Sequence, residues 1–257
     1  MRFLSGVQIT IVLAALMLCL VMTPNAVYAT YMQLQPPIAD SYLRENVPDT
    51  SNGAYTYLNV YVSGSTLLRT VVSFDLSEIP PGSTVNEAYL LLYYYEELGG
   101  NPSGRTYNSY RVTKDWIEAE ATWNSYMTGS LWDTAGGDYT TSGGASANVP
   151  ASPGQDMVWD VTNIVKAWIE DGQPNYGFLL KDSGEIALAE GVGAYFYSKE
   201  STVGDSPRLK VDWTTPEPVG GLVMPTNKLE ILTPYLALAG LVAVVSAVAV
   251  VKRRSKD

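Results

Sequence analysis

The chain has 257 residues, with 26 Asp and Glu against 16 Lys and Arg, a formal charge of −10, no histidine and a single cysteine. Without histidine, and with Cys19 lying in an apolar N-terminal run, it has no Ser-His-Asp triad, no cysteine nucleophile, and no zinc or copper site of the usual nitrogen and sulfur ligands. Catalysis would rest on carboxylates, Tyr, Lys or Arg, and a bound metal would be held by oxygen, with calcium the natural candidate.

The chain begins with Arg2, an apolar run over 7–22 and the small residues around Ala29. That order of charge, apolar core and cleavage-like site reads as a signal peptide over 1–29. Residues 30–227 hold 24 acidic against 10 basic side chains, a net charge of −14. Such a surface repels nucleic-acid backbones and anionic polymers at long range, so nucleic acid is excluded as a partner. This exported part has no disulfide and is long enough to rely on one hydrophobic core.

Alternating apolar residues predict strands over 38–44, 58–62, 67–76, 85–95, 107–113, 157–161, 176–181, 193–198 and 208–213. One segment, 160–170, has helical spacing instead, with Val161, Ile164, Val165, Trp168 and Ile169 on one face. Asp160 or Thr162 offers an N-cap and Gly172 a C-cap, with Pro174 beyond. Trp168 on that face reads as a core plug. Stretches 96–106 and 134–154 read as long loops. About nine strands and one short helix argue an all-β fold, an antiparallel two-sheet β-sandwich of jelly-roll type over 30–213. A Pro/Gly linker over 214–228 follows. The apolar run 229–251, backed by Lys252, Arg253, Arg254 and Lys256, has the length and flanking charge of a transmembrane helix with a cytoplasmic basic tail over 252–257.

Sugar recognition uses flat aromatic faces together with planar polar groups. The chain has 18 Tyr and 6 Trp against 4 Phe. Tyr93, Tyr94 and Tyr95 alternate faces of one strand, so at least one meets solvent, and Tyr94 is the candidate taken from that run. Tyr107, Tyr126, Trp132 and Tyr139 lie in or beside the long loops and complete the candidate ligand-binding set. Asp133 and Asp138, with the carbonyls of Gly136 and Gly137, are hard oxygen donors close in sequence and are the candidate calcium ligands; no other cofactor is called for. Asp40, Arg44 and Glu45 are placed to pair with Arg69 or Arg111 across the sheet. Glu118 and Glu120 would share a face if that segment were a strand, which is the geometry a carboxylate glycosidase needs.

Taken in order, several landmarks form a pattern: Asp40-Ser-Tyr-Leu-Arg44-Glu45, Phe74-Asp75-Leu76, Tyr110-Arg111-Val112, Thr122-Trp123-Asn124, Asn175-Tyr176-Gly177-Phe178 and Pro207-Arg208-Leu209. The ordered set over about 38–213 resembles the DNRLRE domain, also classed as carbohydrate-binding module family 96 and related to a region of archaeal disaggregatase. That resemblance implies a β-sandwich that binds polysaccharide or sits in cell-surface assemblies, in a family where the domain is usually an accessory module beside an enzyme. The chain then reads as a membrane-anchored module, on the outside of the cell, that binds polysaccharide or cell-surface glycan without catalysis. The linker and apolar tail resemble the anchors of archaeal surface proteins. The alternative is a structural or adhesive protein that binds a neighbouring envelope protein. A carboxylate glycosidase is the remote third reading.

Overall fold

The computed structural model describes residues 29–185 and 191–215. The signal peptide, all but its last residue, lies outside the described residues, as do most of the linker, the membrane span over 229–251 and the basic tail. No helix among the described residues is long and apolar enough to cross a membrane.

The strands are β1 (Ala29–Leu34), β2 (Ala39–Arg44), β3 (Tyr57–Val62), β4 (Leu67–Ser73), β5 (Thr84–Gly99), β6 (Thr106–Val112), β7 (Ser125–Met127), β8 (Ser130–Leu131), β9 (Tyr139–Asn148), β10 (Gln155–Asp160), β11 (Phe178–Asp182), β12 (Val192–Tyr197) and β13 (Arg208–Thr214). One helix, α1 (Thr162–Ile169), interrupts them. The all-β, antiparallel expectation holds. The expectation of two separate sheets does not: eleven strands form one continuous sheet in the order β1-β13-β5-β12-β3-β4-β11-β6-β9, with β10 beside β5 and β2 beside β4.

Two strands explain the continuity. β5 is 16 residues long. It pairs with β13 over Thr84–Leu91, with β10 over Tyr89–Tyr94, and with β12 over Tyr94–Leu98. One of its edges therefore passes from β13 to β12 while β10 fills the other. β4 behaves alike, with β2 on one edge and β3 then β11 on the other. Strands that change partner along their length carry the twist from one half of the sheet into the other, so the sheet curls round a core instead of splitting in two.

That core is made by the inward residues of the alternation, among them Leu58, Val60, Leu90, Leu92, Trp159, Phe178 and Phe196. Trp159 is fully buried and its indole N–H donates to the Tyr107 carbonyl at 2.8 Å. Helix α1 closes the core against β5 and β9. Trp168 is the expected plug, edge-on to Phe178 with centroids 4.8 Å apart. The expected N-cap is different, because no side chain caps the helix. Thr162 instead accepts the Ala88 N–H at 2.9 Å, and Glu170 accepts the Val85 N–H at 2.8 Å, so both ends of α1 are stitched to β5.

A second, smaller core lies on the other face of β2, β4 and β11. Leu43, Val71 and Leu179 there meet Trp116, Trp123 and Trp132 from the excursion between β6 and β9, which contains the β7–β8 hairpin. Gly136, at φ +88°, lets that excursion close: a Cβ would fall 2.7 Å from both Arg69 Nη1 and the Trp123 ring. The expected loop over 134–154 contains β9, paired to β6 despite its Gly, Ser and Thr content.

Candidate functional site

On β3, β5 and β12 the residues between the core positions are aromatic. Leu58, Val60, Tyr94 and Phe196 point inward, and Tyr57, Tyr61, Tyr93, Tyr95, Tyr195 and Tyr197 point the other way, half-buried. The period of two puts them on one face. Antiparallel pairing sets Tyr197 opposite Tyr57 and Tyr195 opposite Asn59. The rings form a ladder. Tyr93 stacks on Tyr197 at 5.8 Å, Tyr197 on Tyr95 at 4.3 Å, Tyr95 leans on Tyr195 at 5.9 Å, and Tyr195 meets Tyr57 edge-on at 5.3 Å. Tyr57 then stacks on Tyr42 of β2 at 5.8 Å, and Tyr55 packs on both.

At one end the ladder runs into a groove of about 320 Å³. Tyr42, Tyr57, Tyr61 and Tyr195 give it aromatic walls, and Arg44, Asn46, Asn59, Ser63, Ser65 and Thr66 give it polar groups. Tyr61 needs small neighbours: a Cβ on Gly191 would overlap its hydroxyl, and one on Gly193 would lie 2.8 Å from its Cβ. Asn59 sits at only 3 % exposure, and among the described residues its Oδ1 accepts no hydrogen bond. A buried carbonyl oxygen without a donor is costly unless a ligand or water supplies one. Burial pushes Tyr95 up to about 12, with Glu96 and the neighbouring tyrosines adding to the shift. Burial, and then Tyr57, raise Tyr42 as well. These hydroxyls stay protonated at neutral pH and can both donate and accept.

Strand β2 divides its side chains by the same alternation. Tyr42 and Arg44 line the groove, while Leu43 enters the second core. Arg44 donates to Asn46 Oδ1 at 2.6 Å, and among the described residues it forms no ion pair with a carboxylate. The expected partner for Arg69 is also different: it makes a bidentate pair with Glu185 at 2.7 and 2.8 Å and lies over the Trp123 ring at 5.0 Å. Asp40, at the start of β2, is buried and accepts the Lys199 backbone N–H at 2.8 Å. Burial, opposed by that hydrogen bond and reinforced by Glu200 and Glu118, pushes its carboxyl up to about 8.

The residues expected from sequence fall elsewhere. Tyr94 and Tyr107 have no exposed surface and belong to the main core, so neither can present a ring to a sugar. Trp132 is buried in the second core, its N–H donating to the Thr122 carbonyl at 2.9 Å. Tyr126 packs on Trp132 at 5.6 Å. Tyr139 stacks on Tyr110 at 4.9 Å and lies under the Lys181 ammonium. The structure thus gathers Tyr126, Trp132 and Tyr139 round the second core, away from the groove lining. Asp138 spends both oxygens on the backbone N–H groups of Asp133 and Thr134. Asp133, 77 % exposed, turns to Lys114 at 3.1 Å. The Asp138 oxygens are taken up in fixing a turn, and the Asp133 carboxylate faces solvent. Glu118 and Glu120 sit in a turn, not a strand, with separate partners: Glu118 holds the Asp40 N–H and Lys199, and Glu120 the Thr128 N–H. The ladder itself went unpredicted. Its signal was the repeats Tyr57-x-Asn59-x-Tyr61, Tyr93-x-Tyr95 and Tyr195-x-Tyr197 set between core residues.

A family model described as the disaggregatase related repeat domain matches residues 40–211. That span runs from the first residue of the groove strand's motif to β13. No curated protein matches the chain.

Proposed function

The chain belongs to the disaggregatase related repeat family, and from that membership we propose that it is a non-catalytic carbohydrate-binding module of the DNRLRE type, displayed on the cell surface. The observation that carries this reading is the tyrosine ladder ending in a groove whose floor holds the unpartnered Asn59 carbonyl. The C–H faces of a sugar ring would lie on Tyr57, Tyr61 or Tyr195. Its hydroxyls would accept from Arg44 or the serines, and would reach Asn59 Oδ1, which the groove walls close to solvent, only as those walls part. The acidic exterior favours a neutral glycan over a strongly anionic polymer. The N-terminal signal segment and the apolar run 229–251 support an exported protein held by a C-terminal anchor.

The test is binding of the full-length protein, in detergent, to a glycan array and to insoluble polysaccharides. Tyr57→Ala and Tyr195→Ala should each weaken binding about tenfold or more, a loss of ~1.4 kcal/mol that one aromatic anchor commonly exceeds. Tyr126→Ala should leave it unchanged. Binding to no glycan at all, with capture of an envelope protein by the same face, would favour the structural or adhesive alternative.

A further inference from the structure

We propose that Asp40, Glu118 and Glu200 form a binding site for a divalent cation of the calcium type, two residues along β2 from the groove tyrosine Tyr42. The three side chains come from β2, from the turn before β7 and from the segment after β12. They bring one carboxylate oxygen each to within 4.8 Å of one another.

Three carboxylates meet one ammonium. Lys199 Nζ lies 2.7 Å from Glu118 Oε2 and 3.5 Å from Glu200 Oε1. Fully ionised, the cluster would carry three negative charges against one positive, and a divalent cation would bring that sum to zero. Like carboxylates held this close repel strongly when shielded from water, so the arrangement calls for a second cation or a proton.

The hydrogen bonds point to the same conclusion independently. Asp40 is 1 % exposed, and its Oδ1 has no donor among the described residues. Glu200 Oε2 is also shielded and without a donor among them. The other oxygens are oriented by the protein: Asp40 Oδ2 by the Lys199 N–H at 2.8 Å and Glu118 Oε1 by the Asp40 N–H at 2.8 Å. The carboxylates are therefore fixed in place while two oxygens are left for a ligand. Hard oxygen donors in an irregular, partly dehydrated set suit calcium, with water completing its shell; magnesium keeps more of its own water and demands a regular octahedron. The cation would tie three segments far apart in sequence beside the ladder, without being part of the sugar-binding face.

Calorimetric titration of calcium chloride into the metal-stripped, full-length protein, followed by thermal melts, tests this with no glycan present. A saturable heat is expected, with a Tm rise of about 5–10 °C when calcium stands at roughly 100 times its Kd. Asp40→Asn and the less buried Glu200→Gln should each weaken binding at least tenfold, and Asp133→Asn should not. A wild-type protein whose heat and Tm do not respond to calcium overturns the proposal, as does an undiminished response in Glu200→Gln. A metal-insensitive Tm that rises in Asp40→Asn would assign the cluster a shared proton instead. The glycan reading stands or falls separately, on binding by the tyrosine variants.

Discussion

Tyr95 of β5 and Tyr197 of β12 lie face to face, their ring centroids 4.3 Å apart and their planes 9° from parallel. They stand beside an irregularity in strand pairing, where the register between β12 and β5 shifts between Tyr195 and Phe196. The stack lies across that shift, in the middle of the ladder. Aromatic pairs are worth about 0.5–1.5 kcal/mol beyond the area they bury. A double-mutant cycle of Tyr95→Ala and Tyr197→Ala in urea denaturation should return a coupling of that size. A coupling near zero would mean that the two rings are neighbours only.

Asn59 separates binding from stability. Its carbonyl oxygen is buried without a donor, so the cost of deleting the side chain is offset by the removal of an unsatisfied acceptor. Asn59→Ala is expected to cost less than about 1 kcal/mol in denaturant melts while abolishing most glycan binding. A large stability loss with binding intact would assign Asn59 to the scaffold.

Tyr94→Phe makes the opposite prediction for a residue that sequence had pointed to. The Tyr94 hydroxyl is buried with no partner. Its removal should be neutral or stabilise by up to about 1 kcal/mol, with glycan binding unchanged. Weakened binding in a normally folded Tyr94→Phe protein would place the sugar site on the core side of β5.

Glu185 should govern acid stability. Burial pushes its carboxyl up, but the hydrogen bond and charge of Arg69, with those of Lys181, outweigh burial and hold it below its ordinary 4.5. A carboxyl lowered on folding stabilises the protein above its unfolded pKa and loses that contribution as pH falls through the folded value. The wild-type Tm should therefore drop below about pH 4.5. Glu185→Gln should flatten that acid limb and cost on the order of 3 kcal/mol at neutral pH, because it leaves Arg69 uncompensated at 10 % exposure. An acid limb that survives the substitution would contradict the assignment of that limb to Glu185.

Most of the strands were legible because their core residues alternate with polar ones, and α1 because it alone breaks that period. β9 was not, since Ser142, Gly143, Gly144, Ser146 and Asn148 in its middle and end break the apolar alternation and Gly and Asn disfavour strands; it is held by pairing with β6. The partner changes along β4 and β5 are tertiary events, so the continuity of the sheet could not be read from local pattern. The tyrosine ladder was missed for a related reason. Aromatics near long stretches looked solvent-facing, yet Trp132 and Tyr107 fill two cores, while Tyr57 lies just before the strand expected over 58–62 and Tyr195 within the one expected over 193–198, both at outward positions. Asp40 and Glu200 lie 160 positions apart, and nothing in either neighbourhood announces the other.

The most direct test of the central claim is the affinity of one glycan, chosen from the array, measured by calorimetry for the wild type and for Tyr195→Ala. Saturable binding to the wild type is expected, with a loss of about tenfold or more in a Tyr195→Ala protein that still melts cooperatively. Equal affinity in the two proteins, or no heat from any glycan, would contradict it.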